Sequence, residues 1–148
     1  MTSKHAKRHN KEDHRLLVIW ASDCAEHVLP YFEEIYPEDD RPRKAIETAS
    51  AWVRGDLPVV DARKAAFASH AAARDARNEA SKTAARAAGH AAATAHVADH
   101  ARHAAAYAVK AVASAEITGD NLISMERDWQ YGRFPKHLRL IAFPTSRH

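Results

Sequence analysis

The chain has 148 residues and a net charge of +3 with histidine neutral; 46% of it is hydrophobic, much of that alanine, and 28% is charged. No run approaches the roughly 18 consecutive apolar residues of a membrane span, which excludes a transmembrane helix, and a single cysteine, Cys24, excludes an internal disulfide. One domain in a reducing cytoplasm is expected, with helices set close together because alanine fills little volume.

Basic residues gather at the ends, in Lys4, Lys7, Arg8 and Lys11 and in Arg133, Lys136, Arg139 and Arg147. Residues 1–12 and 144–148 are therefore read as tails around a single domain, 13–143. The run Leu16 to Trp20 is too short for a secretory signal and has no small-residue cleavage site after it.

A first helix is predicted from Lys11–Asp13 to about Ile35. Leu16, Leu17, Trp20, Cys24, Val28, Leu29, Phe32 and Ile35 recur at three- and four-residue steps. Pro30 kinks or divides it, and Ser22 or Asp23 is a cap candidate for the second segment. Tyr36 to Asp40 reads as a loop. Asp40 is the expected cap of the next helix, with Pro42 in its first turn and Gly55 past its end. Asp56 and Pro58 repeat the device for a helix carrying Val59, Val60, Ala62, Ala66 and Phe67. A break at Asn78–Ser81 leads into an alanine-rich helix from about Glu79 to Ala93. Thr94 is read as capping a fifth long helix to about Ala115. A turn at Ile117–Asn121 precedes a helix over Leu122–Tyr131 ended by Gly132, and Pro135 opens a last short helix through Ile141. No proline lies between Pro58 and Pro135. The fold class expected is all-α, an alanine-rich antiparallel bundle of about six or seven helices; a solenoid is the alternative, although no repeat of fixed period is found.

On a continuous helix through Thr94–Ala115, His96, His100, His103, Tyr107 and Lys110 form one stripe, with His90 just before it. Imidazoles at i and i+4 can share a metal, but neither H-E-x-x-H nor an adjacent His-Asp dyad occurs. The stripe is read as a polar face and a candidate partner-binding surface through His96, His100, His103 and Tyr107. No catalytic, cofactor or metal residue is assigned. Asp23 and His27 are a possible i, i+4 pair on the first helix, and Cys24 is read as a buried small hydrophobe. Four isolated glycines exclude phosphate-loop and dinucleotide patterns. The basic residues of the middle helices are interspersed with Asp61, Asp75, Glu79 and Asp99, which argues against a nucleic-acid stripe.

Three segments then bear on function: Trp20-Ala21-Ser22-Asp23-Cys24-Ala25-Glu26-His27-Val28-Leu29; Asp39-Asp40-Arg41-Pro42-Arg43-Lys44-Ala45-Ile46 with Trp52 and Gly55; and Ala87 through Ala101, including Gly89-His90, His96 and Asp99-His100. With Glu126-Arg127-Asp128-Trp129-Gln130 they resemble the helical class of immunity proteins from bacterial polymorphic toxin systems called the fifth immunity family, over about residues 13 to 143. His103 departs from the pattern, which has a small residue there. The resemblance implies inhibition rather than catalysis: a non-enzyme that binds and neutralises a cognate toxin domain, with no cofactor and no membrane or nucleic-acid partner. It carries over no catalytic residue, and the matching positions Trp20, Asp23, Arg41, Arg43, His90, His96, His100, Tyr107 and Trp129 are left open between structural and functional roles. The alternatives are a metal-dependent helical enzyme using His96 and His100, and a DNA-associated helical protein.

Overall fold

Asn10 sets the start of the first helix, α1 (Lys11–Val28): its side-chain oxygen accepts from the Asp13 amide at 2.7 Å, and Glu12 and Asp13 face the positive end of the helix dipole. The coordinates, a computed structural model, describe residues 10–115 and 120–139. Pro30 ends α1 and opens a single turn, α2 (Pro30–Glu33), so the long apolar pattern is divided there as the proline required. Ser22 caps nothing; it lies buried within α1.

Helix α3 (Arg41–Val53) is capped one residue earlier than Asp40. The Arg41 amide donates to Asp39 Oδ1 at 3.1 Å, while Asp40 makes no capping bond. Gly55, past its end, has φ +81°, the left-handed conformation anticipated for it. Helix α4 (Val59–Asp75) starts after Pro58 without a side-chain cap; Asp56 pairs instead with Arg54 at 3.0 Å. Asn78 caps α5 (Glu79–Ala93), accepting from the Ser81 amide at 2.8 Å. Helix α6 (His100–Ala115) follows, then α7 (Asp120–Arg133), which runs through Gly132, and a 3-10 turn at Lys136–Leu138. Most of the expected turn at Ile117–Asn121 and the end of the expected last helix, Leu140–Ile141, lie outside the described residues. Six helices of 13 residues or more and the short α2, with no strand among the described residues, make the fold all-α and a helical bundle.

Helix α5 is its axis. It packs against α1, α2, α3, α4 and α6, and its Ser81, Thr83, Ala84, Ala85, Ala87, Ala88, Gly89, Ala91 and Ala92 are all buried. A helix enclosed on so many sides needs small residues around most of its circumference, because each large one would push a neighbour away. Alanine meets that need and has the highest helix propensity. The hydroxyls on or against α5 are satisfied locally: Ser69 donates to the Ala85 carbonyl at 2.9 Å, Ser81 to that of Tyr31 at 2.8 Å and Thr83 to that of Glu79 at 2.8 Å. The large side chains sit to one side, where Leu17, Trp20, Val28, Leu29, Phe32 and Ile46 of α1 to α3 join one apolar core with the alanines.

Arg41 and Arg43 fasten the outer elements to one another. Arg41 grips Asp39 through two bonds of 2.9 and 2.7 Å and reaches Asp75 at the end of α4 at 3.0 Å. Arg43 holds Glu33 of α2 at 2.8 and 3.1 Å and Glu26 of α1 at 3.0 Å. Such forked geometry suits arginine and not lysine. Both residues have visible structural work at the joins of α1 to α4.

Candidate functional site

Helix α6 begins at His100 and not near Thr94, so the expected stripe is broken at its first member. Thr94 closes α5 instead of opening the next helix: its hydroxyl donates to the His90 carbonyl at 2.8 Å, and its own carbonyl accepts from His14 Nε2 at 2.6 Å. Residues 94–99 form the connection, and His96 stands exposed in it. A local hydrogen bond from a threonine hydroxyl competes with capping, and nothing in the one-dimensional pattern distinguishes the two.

His100, His103 and Tyr107 do share one face of α6, half-buried, and they meet rings from two other helices. His90 of α5 lies at the centre. Its centroid is 5.1 Å from that of His100, 5.3 Å from His103, 5.3 Å from Tyr107 (stacked, 9° between planes) and 4.9 Å from His70 of α4. His90 Nδ1 and His100 Nδ1 are 3.0 Å apart, a hydrogen bond in which the tautomers decide which ring donates. His103 leans toward Asp99, Nε2 to Oδ2 4.0 Å, and Lys110 stands 5.1 Å over the Tyr107 ring. His70 went unnoticed at the level of sequence because it lies on a different helix, 20 residues before His90. A usable signal was present in Gly89, a glycine in mid-helix with no turn to make.

Gly89 is there for room. A Cβ built on it would fall 2.6–2.9 Å from three atoms of the His70 ring. The exchange Gly89→Ala in a helix interior normally gains about 0.5–1 kcal/mol. Here the imidazole must move first, so the gain should vanish or become a loss of about 1 kcal/mol. In a His70→Ala background the ordinary gain should return. Urea unfolding of the four proteins of this double-mutant cycle measures it; equal effects of Gly89→Ala in both backgrounds would mean that the ring is not held against α5.

Burial favours the neutral form of His70, His90 and His100. Burial, then the nearby Arg86, His100 and Arg74, bring the His70 pKa down to about 4. Burial, then His70, His100, His103 and Arg86, bring His90 down to about 3. His100 is lowered by burial and by His103, with Asp99 acting in the opposite sense. Neutral imidazoles can accept and donate hydrogen bonds, stack, or ligate a metal. Among the described residues, no three histidine, cysteine or acidic side chains are placed to hold a metal together.

A second cluster joins the first and last segments of the resemblance. His27 Nδ1 pairs with the buried Glu126 Oε1 at 2.9 Å rather than with Asp23, and its ring stacks on Trp129 at 3.8 Å. Gln130 Nε2 donates to the other Glu126 oxygen at 3.1 Å and to the Ala105 carbonyl at 3.0 Å, and Trp20 Nε1 donates to the Gln130 carbonyl at 2.8 Å. Asp23 holds Arg133 at 3.3 Å, and Arg133 lies over Trp129. This network docks α7 on α1 and α6. Cys24 beside it is fully buried; burial, then Glu126 and Asp23, push its thiol pKa up, which removes it as a nucleophile.

On the opposite side of α6 from the histidines, a groove of about 930 Å³ is lined by Leu17, Trp20, Ala105, Val109, Phe134 and Leu138. Asp99 and Arg102, paired at 2.9 Å and exposed, stand on its rim.

No helix of the described chain is long and apolar enough to cross a membrane. No curated protein and no solved structure matches the chain. A family described as "Imm-5 like putative immunity protein" matches over residues 7–137, which takes in every helix from α1 to α7 and both clusters, and the chain belongs to that family.

Proposed function

We propose that the protein binds a toxin domain and neutralises it by occupying its surface, and that the histidine face of α6 is part of the contact. The observation that carries this reading is the family match over residues 7–137. An immunity protein acts by binding, so no chemical step is assigned to any residue. The histidine face suits such a role on physical grounds. Tyr107 and His103 present apolar rings with polar tips and are half-buried in the free protein, so they can be covered without having been a large exposed apolar patch. His96 is exposed in the turn that precedes α6. The rings beneath are braced by His90 and His70, so few rotamers remain to be frozen on binding.

The experiment is co-expression with the toxin domain encoded beside this protein, followed by colony counts. The wild type is expected to restore survival. The pair His96→Ala/His103→Ala, one exposed and one half-buried, should lower survival at least tenfold while circular dichroism and melting stay unchanged, and His100→Ala/Tyr107→Ala should lower it further. Full protection by the folded double variants would remove the histidine face from the contact. No protection by the wild type against any adjacent toxin would overturn the binding reading itself.

A further inference from the structure

We propose that His90 and His100 form a two-imidazole claw for a divalent transition-metal ion, with a preference for Cu2+ or Ni2+ over Zn2+. This goes beyond toxin binding and does not depend on it, and it departs from the sequence-based expectation of no metal.

The argument starts from the gap between the two Nδ1 atoms, 3.0 Å. Metal–imidazole bonds are about 2.0–2.1 Å. Across that gap they enclose an angle of roughly 91–97° at the ion. A tetrahedral ion would hold its two nitrogens about 3.3 Å apart. The separation is nearer the cis spacing of a tetragonal or octahedral ion than the tetrahedral one, and Cu2+ also stands highest in the divalent order of affinity for nitrogen ligands.

Two features keep the claw open for use. The rings come from different helices, α5 and α6, which pack on one another and fix the bite through backbone and not through long side chains. Both rings are only half-buried, so water can fill the remaining positions. Loading needs one tautomer change. Whichever ring donates from Nδ1 changes tautomer and carries its proton on Nε2, both Nδ1 lone pairs turn to the ion, and no net proton is released. His103, its centroid 5.3 Å from His90 and 5.8 Å from His100, is the neighbour whose ring rotation can add a third nitrogen. As it stands, its nitrogens do not converge with theirs, so the resting site is bidentate.

The test is titration of the full chain with Cu2+, Ni2+ and Zn2+ chlorides, read by melting temperature and, for Cu2+, by electron paramagnetic resonance. An ion bridging α5 and α6 binds the folded state more tightly than the separate imidazoles of the unfolded chain, so melting should rise with metal concentration. Cu2+ and Ni2+ should raise it more than Zn2+, and the Cu2+ spectrum should show an axial site with nitrogen ligation. His90→Gln and His100→Gln should each abolish the rise and weaken the first equivalent at least tenfold. His5→Ala/His9→Ala and His27→Ala should leave both unchanged. The proposal is overturned if the rise survives in both glutamine variants, if the first equivalent is lost with His5 and His9 instead, or if no ion raises the melting temperature of the wild type.

Discussion

Leucine at Ala88, Ala104 or Ala108 is expected to cost about 1–3 kcal/mol at each position and to lower Tm by roughly 3–10 °C. All three alanines are fully buried, Ala88 on the central α5 and the other two on the face of α6 turned to the bundle. Helices brought together by methyl groups leave no pocket into which an isobutyl group can turn. The added carbons must be accommodated by moving a whole helix or by forcing rotamers. Ala113, exposed on α6, supplies the comparison: leucine there should change Tm by no more than a degree or two, in line with surface substitutions of within about 0.5 kcal/mol. Differential scanning calorimetry of the four variants is sufficient. Unchanged melting in the three buried variants would show that the seams are not closed as the structure has them.

Acidification supplies the second large effect, and its sign follows from the neutral imidazoles. In the unfolded chain His70 and His90 titrate near the ordinary value of 6.5; in the folded protein they hold out to about 4 and about 3. Between those values the unfolded chain binds more protons, so stability rises with pH. The contribution is complete above about pH 6.5 and is lost as the pH falls toward 4. The two rings are only partly sequestered from water, so the loss is discounted to an order of 1–2 kcal/mol at pH 4. The carboxylates of Asp39 and Asp99 act in a lower window. Arg41 holds the first and Arg102 the second below the usual range, so their stabilisation fades only beneath the ordinary carboxylate value of 3.8. Urea unfolding between pH 7 and 4.5 therefore reports the histidines with little interference. A His70→Asn/His90→Asn variant should show a flatter profile over that interval. A wild-type profile that is already flat would mean that the imidazoles are solvated.

The composition and punctuation of the chain determined the class of fold. A proline-free stretch rich in the best helix former favours helix throughout, and Pro30, Gly55 and Asn78 set boundaries that recur in the structure because each acts through its own backbone chemistry. Local signals failed where two residues of like chemistry competed or where a hydroxyl had a choice. Asp39 capped α3 in place of Asp40, and Thr94 turned back onto α5, which moved His96 off the helix that the spacing alone had given it. Periodicity did place His100, His103 and Tyr107 on one face, because three- and four-residue steps are a property of a single helix. Only the tertiary structure decided what that face meets. His70 and His90 arrive from α4 and α5, Gly89 makes the space, and His27 finds Glu126 about a hundred residues away instead of Asp23 one turn away. Those partners are fixed by how helices pack across the bundle, and no one-dimensional spacing carries that distance.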